Sequence, residues 1–469
     1  MVLRECNLDG CRRPAARRFG SCMICSKHWC FEHAKSEDHK CPSEESDPST
    51  YYAAYAAAKK NHLSALLDKV NIEALRSAAS GARNGVKCWI PAFDANSDPA
   101  ARADLASKQS GGQNCHLDIE FEDSVVWVAR LRFEDPLLPP AGVQRHIFLS
   151  EVATLKFLAQ TSVPAPRVHS YQLESPDNPI GTSYILMSKL EGSPLDWYEA
   201  SSQQRIKVME QLADLYLEFE KYPFQLTGSF VPSGISDDEV NIGGFAQEPW
   251  FETPDKGLGP FSTLEAAYTA ILDRYMQAFD DREISKLPVD NYLSFKWRLS
   301  SLQALIASST SKNGPFYLKH YDDKGDHILV DENYNITGII DWEFASLEAK
   351  ELAFSSPCMM WPVGDFYDGK PDLSEDEVRF AEIFNSRGRQ DIANLVLNSR
   401  KWQRYLFFLG GDVPSDEAEF EALFQSLRKC FADTDENVSS YQEWKQIALE
   451  LYHGDPVLDS LIRDEISGP

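Results

Sequence analysis

From about residue 85 the chain alternates apolar and polar positions in two short runs, CHLDIEF (115–121) and VVWVARLRF (125–133). Both are rich in β-branched and aromatic residues, and a polar turn at 122–124 separates them, which predicts a β-hairpin. The period then changes. Phe148, Val152, Leu155 and Ala159 recur at helical spacing, and the prolines of VPAPRV end that helix. SYILMSKLEG (183–192) predicts a buried strand running into a Gly turn. Beyond residue 200 helical stripes dominate: Ile206, Met209, Leu212, Tyr216 and Phe219 form one, and Phe420, Leu423, Phe424, Leu427 and Phe431 another. Both stripes are expected to be core. One short hairpin, 328–330 and 336–340 around a turn at 331–335, interrupts the helical half. Upstream, the Ala-rich run 51–80 predicts a helix, and the polar, acidic SEESDPS (43–49) a linker.

The pattern is α+β: a small strand-rich half followed by a large helical one. At 469 residues more than one folded unit is expected. No apolar stretch approaches the roughly 20 residues of a membrane-spanning helix, and MVLRECNLDG lacks the apolar core of a secretory signal. A cytoplasmic location is expected, with the nucleus not excluded. The net charge of −26 argues against DNA or RNA as partner, because their phosphates need a basic surface. The charge is uneven. Residues 1 to 41 hold eight Lys or Arg against five Asp or Glu, so they carry +3 and the remainder −29.

Those first residues also hold six of the ten cysteines. Cys6, Cys11, Cys22, Cys25, Cys30, His33, His39 and Cys41 follow one another with gaps of four, ten, two, four, two, five and one residues. So short a segment has little apolar core, and thiolates with imidazoles in close pairs are what tetrahedral Zn²⁺ takes. Eight ligands make two sites. Four protein ligands per ion leave no open position, so both ions are structural. His28 is the spare histidine.

The interrupting hairpin carries the chemistry. In GPFYLKHYDDKGDHILVDENYNITGIIDWEFA (314–345), Asp322 stands at its entrance and Asp341 at its exit. Phosphoryl transfer needs one carboxylate to orient the acceptor hydroxyl and another to hold Mg²⁺ against the phosphates. In the strand-rich half Arg130 is a cation able to pair with phosphate oxygens, and Glu151 lies beside the helical stripe, placed to pair with it. Gly111 and Gly112, just before the hairpin, could let backbone amides approach phosphates; a plain flexible loop fits them equally well.

The finger spacing resembles the AN-one-type zinc finger of stress-associated proteins at all eight positions. The resemblance implies a cross-brace, with Cys6, Cys11, Cys30 and His33 on one ion and Cys22, Cys25, His39 and Cys41 on the other. It also implies a role in contacting other proteins. Residues 85 to about 465 resemble the aminoglycoside-phosphotransferase-like family, which shares the protein-kinase fold, and are most similar to a fungal branch of it. GGQNCHLDIEF, EVATLKFLAQTSVPAPRVHS, YLKHYDDKGDHILVD, ITGIIDWEFAS and LAFSSPCMMWPVGDFYDG carry that resemblance.

It implies a bilobal fold with Asp322 catalytic, Asp341 metal-binding, Arg130 on phosphate, Glu151 its helix partner and His320 structural. The expected domains are 1–42 finger, 43–84 linker and connecting helix, 85–192 small lobe and 193–469 helical lobe. ATP with Mg²⁺ or Mn²⁺ and a small-molecule hydroxyl acceptor would be the ligands. Two positions depart from the family. His-Gly-Asp is His320-Tyr321-Asp322, and the metal-binding Asn is His327. Imidazole suits Mn²⁺ or Zn²⁺ better than Mg²⁺, and Asp323 or Asp326 could supply the missing oxygen. The fungal branch shares the variant loop, which leaves two readings: a small-molecule phosphotransferase, or a kinase-like scaffold whose finger contacts a protein. The lobes are expected to fold without the finger.

Overall fold

The computed structural model describes residues 4–17, 20–94, 99–108, 110–235, 239–247, 249–253, 255–284, 286–407, 416–432 and 438–467. The finger comes first: strands β1 (Ser21–Cys22) and β2 (Lys27–His28) pair antiparallel, and the single turn α1 (Phe31–Ala34) follows. Cys6, Trp29 and Cys30 form its small buried apolar cluster, and Ala15, Ala16 and Met23 are also buried.

Two helices follow where one is expected over 51–80. In α2 (Pro48–Lys69), Asp47 caps the first turn by accepting from the Thr50 amide. Val70 leaves the helix for extended backbone, and Asn71 caps α3 (Ile72–Ala82) by accepting from the Ala74 amide. The small lobe then adds β3 (Cys88–Trp89), α4 (Pro91–Asp94), α5 (Pro99–Lys108), β4 (Asn114–Phe121), β5 (Val126–Arg132), α6 (Ala141–Leu158), β6 (Val168–Gln172) and β7 (Tyr184–Ser188). Its sheet is antiparallel in the order β3-β4-β5-β7-β6.

Strand alternation gives this sheet two apolar faces. Leu117, Ile119, Ala129, Leu131 and Leu186 pack against Leu63, Leu66, Leu67, Val70, Leu75 and Ala79 of the α2–α3 segment. On the other side Ile185 packs with Phe148 and Val152 of α6. The stretch expected as a connecting helix is therefore part of the small-lobe core. The sheet needs a cover on that face, and α2 and α3 supply it.

The large lobe begins with β8 (Ser193–Pro194) and α7 (Ser202–Phe219), the latter opened by a Ser201–Gln204 capping box. Four short strands follow, β9 (Ser229–Pro232), β10 (Val240–Gly243), β11 (Phe251–Thr253) and β12 (Lys256–Gly257), then α8 (Leu264–Asp280) and α9 (Pro288–Ala307). Next come β13 (Phe316–Lys319), β14 (Ile328–Val330), β15 (Ile336–Ile339), β16 (Ser346–Ala349) and α10 (Lys350–Ala353). The chain closes with α11 (Val363–Tyr367), α12 (Glu375–Ser386), α13 (Gln390–Leu397), α14 (Arg400–Phe407), α15 (Glu417–Lys429), α16 (Tyr441–Leu451) and α17 (Pro456–Ser467). Phe420, Leu423, Phe424 and Leu427 of the second stripe enter one core with Phe279, Phe295 and Trp342, while Met209 and Leu212 of the first enter another. The expected hairpin is present: β14 pairs with β15 and is flanked by β8. This is the expected α+β arrangement, a small strand-rich lobe followed by a large, mostly helical one.

The finger is not suspended on its linker. The Arg4 guanidinium donates to the carbonyl of Pro136 at 2.5 Å, and the Arg17 amide donates to the carbonyl of Glu283 at 2.8 Å.

Candidate active site and metal clusters

Residues 320–327 join β13 to β14, and the loop is held from below by histidine. His320 is buried, donates from Nε2 to the carbonyl of Ile340 at 2.9 Å, and meets the Trp342 ring edge-on at 4.8 Å. Burial lowers its pKa, so the ring is neutral and can keep that donor role. It thereby ties the segment bearing Asp322 to the segment bearing Asp341. Gly325 adopts φ +111°, a backbone conformation that favours glycine, with Met359 Sδ 3.2 Å from where a Cβ would sit. The cavity of about 40 Å³ beneath the loop, lined by Tyr216, His320, His327 and Trp342 among others, has room for little more than a water. Any acceptor must approach from the other side.

There the structure brings Asp322 and Asp341 to the accessible face of the loop, their side chains 43% and 55% exposed. Asp341 takes a left-handed backbone (φ +61°), an uncommon state for a non-glycine residue and one that Asp tolerates. Burial raises the pKa of Asp322, opposed by Lys324, whose Nζ lies 3.1 Å from its carboxylate. Lys324 also feels the charges of Asp326 and Asp341, so one cation stands among three acids. The sequence reading passed over Lys324, two residues after the candidate base.

Arg130 is where that reading put it. It is buried, ion-paired with Glu151 of α6, and donates to Asp341 at 3.0 Å and Glu343 at 2.7 Å. Glu343 also accepts from Arg132 and from Asn114 Nδ2 at 3.2 Å, and Arg132 donates to Gln113 at 2.6 Å. Glu343 and Arg132 were likewise missed. Arg132 was legible, since a strand places residues 130 and 132 on one face. Glu343 showed only as a second acid, two residues after Asp341, in IIDWEFA.

Other candidates sit differently from expectation. Asp323 is spent inside the protein, pairing with Lys319 at 2.9 Å and accepting from the Cys358 amide at 2.9 Å. It cannot supply the oxygen that His327 lacks. His327 is itself buried, stacked on His320 at 4.2 Å, and driven well below the ordinary histidine pKa by burial. Its Nδ1 accepts from the Gly325 amide at 3.3 Å. The metal role expected of His327 thus meets a ring engaged in the turn, whereas Asp326 is exposed beside it. Gly111 and Gly112 are exposed, and Gly111 donates its amide to Asn114 rather than outward.

In the finger the eight expected ligands form two groups, Cys6, Cys11, Cys30, His33 and Cys22, Cys25, His39, Cys41. Within each group the ligand atoms lie within 4.8 Å of one another. These are the only such groups of three or more among the described residues. His39 donates from Nδ1 to the Ala34 carbonyl at 3.0 Å, leaving a buried, unpartnered Nε2 among three thiols. His33 Nδ1 lies 3.4 Å from Cys6 Sγ and 3.3 Å from Cys30 Sγ. Crowding costs the bare thiols: burial, then Cys22 and Cys25, pushes Cys41 up to about 12. A tetrahedral Cys₃His cation site fits both groups. His28 is bonded to Ser21 Oγ at 2.9 Å, away from both.

Residues 127–349 match the model of the phosphotransferase enzyme family. The matched stretch spans Arg130, Glu151, Asp322 and Asp341. Among curated proteins, a clavilactone A biosynthesis cluster protein of Ampulloclitocybe clavipes is 28% identical over 292 residues, covering 60% of this chain and 68% of that protein. A subtelomeric hrmA-associated cluster protein of Aspergillus fumigatus is 31% identical over 129 residues, 27% of this chain and 24% of its own length. Among solved structures, one described as an aminoglycoside phosphotransferase from Ralstonia eutropha overlaps 77% of this chain and 96% of its own at 14% identity, with TM-score 0.45. A thermostable aminoglycoside phosphotransferase in ternary complex with AMP-PNP and hygromycin B overlaps 69% of this chain and 91% of its own at 15% identity, TM-score 0.39.

Proposed function

We propose that the chain transfers the γ-phosphate of ATP to a hydroxyl of a small molecule, and that its finger holds two structural zinc ions. One observation carries the first part: Asp322 and Asp341 share one accessible face, with Lys324 among the acids and Arg130 reaching Asp341 from the small lobe. Asp322 accepts the proton of the acceptor hydroxyl. Lys324 and Arg130 face the phosphate charge, and Glu151 keeps Arg130 extended into the cleft. Asp341, with exposed Asp326 in place of the family's Asn, would hold a divalent cation, which would supply positive charge against the phosphates. Membership of the A. clavipes relative in a biosynthesis cluster supports a small-molecule acceptor.

Calorimetry of the full chain with ATP and Mg²⁺ or Mn²⁺ tests this. Asp341→Ala should abolish metal-dependent ATP binding, while Asp322→Asn should keep binding and remove transfer. His327→Asn should not change the metal preference, because the native ring is engaged with Gly325. No nucleotide binding by the wild type with either metal would sink the proposal. Elemental analysis should return two zinc ions per chain, and Cys30→Ser one.

A further inference from the structure

We infer that the finger is an intramolecular strap across the two lobes, and that its metal state sets how tightly the cleft binds nucleotide; the second half rests on the phosphotransferase reading above. The strap has two ends. At the small lobe, both terminal nitrogens of Arg4 donate to carbonyls, Nη1 to Pro136 at 2.5 Å and Nη2 to Leu138. Pro136 and Leu138 lie in the connection from β5 to α6, between Arg130 and Glu151. Ser26 Oγ also lies 3.2 Å from His62 Nε2 on α2. At the large lobe, Arg17 donates its amide to the Glu283 carbonyl at 2.8 Å and its Nε to the Glu283 carboxylate. Glu283 is 1% exposed, sits between α8 and α9, and has Arg274 as a second partner at 3.4 Å. Taking a partner from a buried carboxylate is strongly unfavourable, because it leaves the charge uncompensated.

The two docking arginines depend on the metal clusters for their placement. Arg4 stands two residues before the first ligand, Cys6. Arg17 lies in the stretch between Cys11 of one cluster and Cys22 of the other. Two of the three residues in the finger's apolar cluster, Cys6 and Cys30, are themselves metal ligands, so those segments depend on the metal for their order. Metal occupancy therefore decides whether the strap spans the lobes or falls away. Charge favours the closed form, since a +3 finger lies against a −29 body. With the strap in place the β5–α6 connection is pinned to the large lobe, and less ordering remains to be done when nucleotide closes the cleft.

The test uses the full chain in three forms: wild type, Arg4→Ala/Arg17→Ala, and wild type treated with a zinc-selective chelator. Hydrogen exchange at 133–140 and 281–287 should accelerate in both altered forms, while the double variant keeps two zinc ions. Affinity for Mg²⁺–ATP should fall about 5-fold or more in both. Arg17→Lys, which keeps the charge, should restore protection at 281–287. Unchanged exchange at both segments overturns the strap. Accelerated exchange with unchanged Mg²⁺–ATP affinity overturns the coupling. If the wild type binds no nucleotide, the phosphotransferase reading fails, and exchange still decides whether the strap exists.

Discussion

Arg130 offers an uneven pair of substitutions whose costs follow from its partners. Arg130→Met leaves Glu151, 3% exposed on the inner face of α6, without its ion-pair partner. Removing one member of a buried pair costs about 3–5 kcal/mol. Glu343 does not add much to that loss, because Arg132 and Asn114 still serve it. Glu151→Leu is milder. Arg130 keeps Glu343 at 2.7 Å and Asp341 at 3.0 Å, so about 1–2 kcal/mol is expected. In the double variant the orphaned carboxylate is gone, and stability should recover to near that of Glu151→Leu alone. The coupling between the sites is then about 3–5 kcal/mol, the whole cost of Arg130→Met. Native-state hydrogen exchange at β5 and α6 across a urea series reads small-lobe opening separately from the large lobe. Equal losses in the two single variants, adding in the double, would refute the claim that Glu151 depends on Arg130 alone. Calorimetry supplies an independent check: Arg130→Met and the double variant should both lose Mg²⁺–ATP binding, even where the double is stable. Retained binding in the double would remove Arg130 from the phosphate site.

Two further outcomes are expected. Burial pushes Glu348 on β16 from its ordinary value of 4.5 up to about 7, opposed by a hydrogen bond from Ser346 and by Lys319. Because the folded pKa is raised, this acid's contribution is complete below 4.5 and is lost as pH rises to about 7, a loss of about 3 kcal/mol. Glu348→Gln should flatten the stability profile over that window in urea titrations, and an unchanged slope would count against the burial argument. A chain beginning at Ser80 should be insoluble, whereas one beginning at Pro48 should not, as expression and sedimentation would show. The shorter chain lacks Leu63, Leu66, Leu67, Val70, Leu75 and Ala79 of the small-lobe core. At about 1.5–3 kcal/mol per large buried side chain, that loss consumes a typical domain's whole stability.

The sequence by itself determined the elements whose cause is local. Alternation over 115–133 marked β4 and β5, helical spacing marked α6, α7 and α15, and eight Cys and His ligands marked two metal groups. Asp322 and Asp341 were legible because they bracket a short hairpin. Tertiary structure decided everything that depends on which surface meets which. Ala-rich propensity marked 51–80 as helical, but not that the sheet's second face would be closed by α2 and α3. Spacing placed His327 where the family keeps Asn; only packing against His320 and a bond from Gly325 show its ring engaged elsewhere. The acidic linker read as a flexible tether, yet the finger sits on both lobes. Its charge contrast was visible in the chain, but the carbonyls of Pro136 and Leu138 and the buried Glu283 become a docking surface only once distant segments are brought side by side. Local propensity is written residue by residue, whereas a contact between residues 17 and 283 depends on the path of all the chain between them.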